Sequence, residues 1–339
     1  MELHDHEYHS LLVADVVDET ADTRSFVLDI PSELSATFAY AAGQFCTFRA
    51  TIDDESVVRC DSMSSSPDTG DPFTTPVKRV PGGQMSNWMN DVLTAGDRID
   101  VLRPTGLFVL HDHQAPIVAF AGGSGITPVI SIIKTALTVT ERQIRLVYAN
   151  RSPDAVIFAD ELERLRATAD QRLSVHYHLD SERGFLDSAQ CAALVGGDVD
   201  ADFYICGPGP YMDTVETGLS TLGVTPRQLF IERFVLPAPA PTDQDGSSTQ
   251  SVVIRLDQRE STVDYVAGDT ILDTARRAGL SPPFSCEQGN CATCMAHLDH
   301  GSATMRVNNA LSPDEVGTGW VLTCQALPSS AEVVVDYDA

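Results

Sequence analysis

The sequence predicts a multidomain chain: an antiparallel β-barrel over residues 1–112, an α/β domain with a parallel sheet over 113–235, a linker at 236–250 and a third domain over 251–339. Three observations predict it. Residues 1–112 show short apolar runs broken by turns, with hardly any helical periodicity. From about Ala115 to Phe234, β-branched runs alternate with helical patterns. A Pro-rich and then Gly/Ser-rich tract separates both from a segment that holds four patterned cysteines.

In the first region Arg24-Ser25-Phe26-Val27-Leu28 and Gln44-Phe45-Cys46-Thr47-Phe48 read as strands bounded by turns. In the second, strands at Ile117–Phe120, Ile144–Tyr148, Leu173–His178 and Phe203–Cys206 alternate with helices over Val129–Leu137 and Ala155–Ala169. That alternation implies a parallel sheet with helices on both faces. The tract Leu236–Thr249 alternates proline before turning to glycine and serine, a linker that is semi-rigid and then flexible, so the third domain is expected to swing.

A length of 339 residues suits two or three domains. No basic segment leads into an N-terminal apolar run, and no stretch is long enough to cross a bilayer, so a cytoplasmic monomer is expected. The net charge is −26 and the only lysines are Lys78 and Lys134, which argues against nucleic acid and anionic membranes as partners. Residues 251–339 carry 12 acidic and 5 basic residues, net −7, close to their share of the whole charge. The acidity is therefore uniform and points to solubility more than to one docking patch.

Cys286, Cys291, Cys294 and Cys324 form a C-x4-C-x2-C…C series, the thiolate spacing of a plant-type [2Fe–2S] cluster. One loop supplies three sulfurs, and Gly289 and Ala292 keep it small enough for close backbone approach. Zinc is the competing reading, but structural zinc favours close-spaced ligand pairs on both sides, and Cys324 has no His or Cys nearby in sequence. Cys46, Cys60, Cys191 and Cys206 are scattered without a disulfide framework, as expected in a reducing compartment.

Upstream, Arg59-Cys60-Asp61-Ser62-Met63-Ser64 follows a strand and is followed in turn by Val77-Lys78-Arg79 and by Gly83-Gln84-Met85-Ser86, which opens a helix. An Arg can clamp a pyrophosphate bidentately. Amides at the helix start offer an anion site, with Ser86 as its cap. Ala121-Gly122-Gly123-Ser124-Gly125-Ile126-Thr127-Pro128 marks a strand-to-helix junction, where glycines give amide access, Thr127 can cap and Pro128 suits the first turn. Cys206-Gly207-Pro208 ends a later strand, and Glu232 and Phe234 close the region.

In this order the motifs resemble the ferredoxin–NADP reductase family, joined to a C-terminal plant-type ferredoxin domain of α+β, β-grasp type. The layout is similar to reductase components of multicomponent oxygenases, most of all the 3-ketosteroid 9α-hydroxylase and phenylacetyl-CoA oxygenase types. The resemblance implies FAD rather than the FMN of the phthalate dioxygenase reductase type, together with NADH or NADPH and a [2Fe–2S] cluster. It implies that Arg59 binds the FAD pyrophosphate, that Ser62 contacts the reactive edge of the flavin, and that Asp61, Met63, Ser64, Val77, Lys78, Arg79, Gly83, Gln84, Met85 and Ser86 line its site. Gly123, Ser124, Gly125, Thr127 and Pro128 would hold the dinucleotide, Cys206, Gly207 and Pro208 its nicotinamide, and Arg151 its adenosine end. Phe234 would cover the flavin, and Glu232 would sit near the ring.

The family usually has Tyr where this chain has Asp61, so an ionised carboxylate there would disfavour negative charge on the reduced flavin or would hydrogen-bond its ribityl chain instead. The implied activity is electron transfer from NAD(P)H to a terminal oxygenase, Rieske or di-iron, that hydroxylates a steroid or aromatic ring. A carrier or redox sensor that keeps the cofactors without oxidising nicotinamide is the alternative. A flavin-free zinc adaptor is a third.

Overall fold

The computed structural model describes residues 8–234, 249–284, 287, 289, 292–308, 310–311 and 313–339. These fall into two compact units, one spanning 8–104 and 108–234 and the other built mainly from residue 249 onward. No helix among the described residues is long and apolar enough to cross a membrane.

The larger unit opens with β1 (His9–Thr20), β2 (Thr23–Asp29), β3 (Phe45–Ile52), β4 (Glu55–Ser62), β5 (Thr74–Lys78), helix α1 (Gln84–Asp91) and β6 (Arg98–Val101). The six strands form one antiparallel sheet in the order β4-β3-β6-β1-β2-β5. Alternation sets its inner face: Leu11 and Val13 of β1 and Phe26 and Leu28 of β2 are buried with Met85 and Met89 of α1. The amide of Ser64 donates to Thr74 O at 3.0 Å, which draws the end of β4 towards β5.

The second half of this unit runs β7 (Ile117–Gly122), α2 (Ile126–Val139), β8 (Ile144–Asn150), α3 (Ala159–Thr168), β9 (Leu173–Leu179), α4 (Asp180–Arg183), α5 (Ser188–Val195), β10 (Asp202–Cys206), α6 (Gly209–Thr221) and β11 (Leu229–Glu232). All strand pairs are parallel, in the order β11-β10-β7-β8-β9. Both faces are covered, so the strands are apolar throughout: Ala119, Ala121 and Leu146 pack with α2 and α3, and Val118, Phe120 and Val147 with α5 and α6. The predicted helix over Ala155–Ala169 begins only at Ala159, because Phe158 is left-handed (φ 61°) and Pro153–Ala155 forms a separate 3-10 turn.

Helix α2 ties the two sheets together. Ser131 Oγ donates to Ser65 O at 2.6 Å and accepts from the Gly43 amide at 3.2 Å. Thr135 Oγ1 donates to Asp68 and lies 2.6 Å from Ser66 Oγ. Between them Lys134, 7 % exposed, reaches Ser64 O and Asp71 at 3.1 Å each and Glu161 at 2.6 Å.

The smaller unit contains β12 (Ser251–Leu256), β13 (Arg259–Asp264), α7 (Ile271–Arg277), β14 (Met295–His300), β15 (Ala303–Met305), α8 (Pro313–Gly317), β16 (Trp320–Leu322), β17 (Ala326–Pro328) and β18 (Glu332–Asp336). Its main sheet has the order β13-β12-β18-β14-β16, with β12 and β18 parallel at the centre. Asp257 and Gln258, both left-handed, turn β12 into β13, and Asp338 accepts both of their amides. Thr270 and Asp273 close a capping box on α7, which packs Ile271 and Ala275 on Val252, Ile254 and Val335.

Removing the Lys134 ammonium would leave Asp71 and Glu161 unpaired. Lys134→Met should destabilise the larger unit by about 2 kcal/mol, below the ~3–5 kcal/mol of fully buried pairs because both carboxylates keep some water. A urea titration of wild type and variant checks this: the midpoint falls at unchanged slope.

Candidate functional site

In an open parallel sheet the ligand crevice lies at the carboxyl ends of the strands, where successive connections diverge. Here that point is between β7 and β10. The chain leaves β7 for β8 and β9 on one side and returns to β10 on the other. The two predicted glycine turns end these strands and touch through their backbones. A methyl group added at Gly125 would lie 2.2 Å from Cys206 O, and one at Gly122 would meet Pro208 and Tyr211 at 2.9 and 3.0 Å. Gly207 is equally confined, by Tyr211 at 2.9 Å and by the Gly122 amide at 3.0 Å. Gly123 is left-handed (φ 53°), and its carbonyl accepts from the buried Tyr148 hydroxyl.

The first-turn amides of α2 have no side-chain cap. Thr127, expected as the cap, sits within the first turn, buried, and donates to Ser124 O at 2.9 Å. Pro128 occupies the first turn as expected. The Tyr211 hydroxyl is buried without a hydrogen-bond partner among the described residues. A cradle that a side chain at Gly122, Gly125 or Gly207 would fill fits the close approach of a dinucleotide phosphate.

Facing the crevice, β4 ends at Ser62. Its hydroxyl donates to Glu232 Oε2 at 3.3 Å, joining residues predicted from separate motifs. Glu232 is held on β11, which pairs with β10 so that Cys206 and Glu232 are register partners. Burial pushes the Glu232 carboxyl up to about 8 against the pull of the Ser62 hydrogen bond. Burial, and then the charge of Glu232, push the Cys206 thiol well above its ordinary value. Burial raises the Asp61 carboxyl to about 7 against the pull of the Arg59 charge. Phe234 is half-buried and packs on the core of the parallel sheet.

The remaining flavin candidates divide by exposure. Met63, Ser64, Val77 and Met85 are buried, and Arg59 is exposed and donates to Val58 O. Arg79 pairs with Asp91 at 2.6 Å. Gly83 is the N-cap of α1, and Gln84, exposed, begins the helix. Ser86 does not cap α1: its Oγ accepts from the Val80 amide at 3.1 Å. Helix α1 thus begins without a side-chain cap. Lys78 and Arg151 converge on Asp22, a residue that no motif marked, at 3.9 and 2.7 Å.

In the smaller unit Cys294 and Cys324 are 2 and 7 % exposed and share an apolar pocket with Leu272, Met295, Leu311 and Leu322. Thr323 binds Cys294 O through its amide (3.1 Å) and hydroxyl (2.8 Å), locking the two ligand segments together. Cys286 and Cys291 lie outside the described residues. Glu287, Gly289 and Ala292 are left-handed, and a side chain on Gly289 would meet Val307 O at 2.9 Å. A tightly wound loop beside two buried thiols suits an iron–sulfur cluster held by four thiolates.

Three family models match the chain in order: an oxidoreductase FAD-binding domain over 10–110, an oxidoreductase NAD-binding domain over 120–217 and a 2Fe-2S iron-sulfur cluster binding domain over 254–329. The chain is 37 % identical over 337 residues to the ferredoxin reductase component of 3-ketosteroid-9-alpha-monooxygenase from Rhodococcus rhodochrous, covering 96 % of each protein. It is 35 % identical to a component of the 1,2-phenylacetyl-CoA epoxidase of Escherichia coli K12, covering 98 % of each. Among solved structures it is similar to phthalate dioxygenase reductase, with a TM-score of 0.60, 25 % identity and coverage of 97 % of this chain and 98 % of that one.

Two tests follow from the geometry. Gly125→Ala should drive Cys206 out of place and slow dinucleotide-dependent flavin bleaching on the order of a hundredfold, with dithionite bleaching intact. In the flavin-free protein the folded chain keeps a proton on Glu232 that the unfolded chain loses near 4.5. Its contribution is fully present below about pH 4.5 and is lost as pH rises through about 8. Glu232→Gln should flatten the pH dependence of unfolding across that window, measured by urea titrations at several pH values.

Proposed function

We infer, starting from the family of FAD- and [2Fe–2S]-containing oxygenase reductase components to which this chain belongs, that it delivers electrons from NAD(P)H to a separate Rieske or di-iron oxygenase acting on a steroid or aromatic ring. The observation that carries the site assignment is the meeting of Ser62 and Glu232 at the mouth of the crevice between β7 and β10. Residues 1–112 form the flavin domain, 113–235 the nicotinamide domain and 251–339 the cluster domain of a monomer.

FAD, when bound, would supply hydride-accepting and one-electron chemistry, and a [2Fe–2S] cluster would supply single-electron transfer. The chain's own residues bind and orient. Arg59 and the first-turn amides of α1, at Gln84, Met85 and Ser86 after Gly83, hold the diphosphate. Val77, Lys78, Arg79, Asp61, Met63 and Ser64 would line the flavin site. Gly123, Ser124, Gly125, Thr127 and Pro128 seat the dinucleotide phosphates, with Arg151 at the adenosine end. Glu232 fixes the Ser62 hydroxyl towards the reacting edge. Cys206 stays a neutral thiol, so with Gly207 and Pro208 it acts as a wall that positions nicotinamide and not as a nucleophile. Phe234 excludes water until the nicotinamide takes its place. Cys286, Cys291, Cys294 and Cys324 ligate the cluster.

Anaerobic titration with NADH, and separately NADPH, should bleach the flavin and then produce the electron paramagnetic resonance signal of a reduced [2Fe–2S] cluster. Cys294→Ser should abolish that signal and electron delivery to a reconstituted oxygenase while leaving flavin bleaching intact. Bleaching absent with both dinucleotides would defeat the reading.

A further inference from the structure

The hairpin between β1 and β2 carries Asp22, which belongs to the barrel yet reaches the parallel sheet. Its Oδ1 accepts from the hydroxyls of Thr20 and Thr23 at 2.9 and 3.3 Å, which aims Oδ2 outwards. Oδ2 accepts from Arg151 Nη2 at 2.7 Å, 129 positions away, and stands 3.9 Å from Lys78 Nζ. The Lys78 ammonium in turn hangs over the Gly-rich turn: a methyl group added at Gly123 would lie 3.9 Å from it. The Arg79 amide donates to Asp22 O at 2.8 Å, so the hairpin is anchored to the strand end that carries Lys78. Thus Lys78, beside the Gly-rich turn, and Arg151 share one carboxylate, whose side chain is 28 % exposed, while that of Arg151 is 70 % exposed.

We propose that Asp22 is a specificity-determining latch, an internal stand-in for phosphate that holds Arg151 and Lys78 until a dinucleotide phosphate takes them over. This rests on the assignment of the Gly-rich turn and Arg151 to the dinucleotide. Because Asp22 must give up Arg151, it weakens dinucleotide binding, and it does so in proportion to how strongly the ligand draws on that guanidinium.

The experiment uses the FAD-loaded full chain and measures KM for NADH and NADPH with ferricyanide as acceptor, and Kd for NAD+ and NADP+ by perturbation of the flavin spectrum. Asp22→Asn keeps the oxygen that accepts from Thr20 and Thr23 and removes the charge. It should lower both constants about two- to fivefold, the worth of a partly exposed ion pair, with the larger gain for whichever dinucleotide loses more affinity in Arg151→Ala, and with kcat unchanged. The gain should shrink as salt is raised, and it should vanish in the Arg151→Ala background. Constants that stay the same or rise in Asp22→Asn at full FAD occupancy overturn the latch, as does tightening that persists without Arg151. If Arg151→Ala weakens binding while Asp22→Asn does not strengthen it, the latch falls and the dinucleotide assignment stands. If Arg151→Ala changes nothing, the assignment of Arg151 falls and takes the latch with it.

Discussion

Lys134 is a cation almost wholly removed from water, and it is stable there only because three oxygens surround it. Two of those oxygens, Ser64 O and an Asp71 carboxylate oxygen, belong to the segment that leaves β4, and the third belongs to Glu161 of α3. The arrangement therefore admits one position of α2 against the barrel. Ser64 is two residues beyond Ser62, and α2 begins where the Gly-rich turn ends. A clamp at Lys134 thus fixes the distance between the end of β4 and the crevice in the parallel sheet. The Ser62 hydrogen bond to Glu232 is a downstream result of that clamp more than a cause of it, since at 3.3 Å it is the weaker contact.

Crevice and clamp use backbone and side chain in opposite ways. At the crevice the absence of side chains is what matters. Gly122, Gly125 and Gly207 let two strand ends meet closely, with no room for a side chain between them. At the seam the buried polar side chains of Ser131, Lys134 and Thr135 are each used in turn. Burial raises the carboxyls of both Asp61 and Glu232, opposed by the Arg59 charge at the first and by the Ser62 hydrogen bond at the second.

The order of domains, the strand and helix alternation and the thiolate series were legible in the sequence because each is written in neighbouring residues. The Gly-rich turn could be read from eight consecutive positions. The contacts that hold the site together could not, since Ser62 finds Glu232 170 positions away and Lys134 finds Ser64 O 70 positions away. Asp22 lies in an ordinary hairpin, and nothing local distinguishes it from a solvated turn residue. Ser86 and Thr127 show a subtler limit. Both stand where a capping hydroxyl belongs, but each found a nearer backbone partner, Val80 N and Ser124 O, which local competition for hydrogen bonds makes common. Phe158 delayed a helix through a left-handed backbone that no pattern announces.

The parallel pairing of β12 with β18 at the centre of the smaller sheet carries a temporal consequence. The first strand of that unit made on the ribosome has as its central neighbour the last, and Cys324 precedes that last strand by only a few residues. The apolar pocket around Cys294 and Cys324 cannot close until almost the whole unit has been synthesised, whereas both sheets of the larger unit are complete well before. The segments that bury Cys294 and Cys324 are therefore made after the strands of the flavin and nicotinamide sheets.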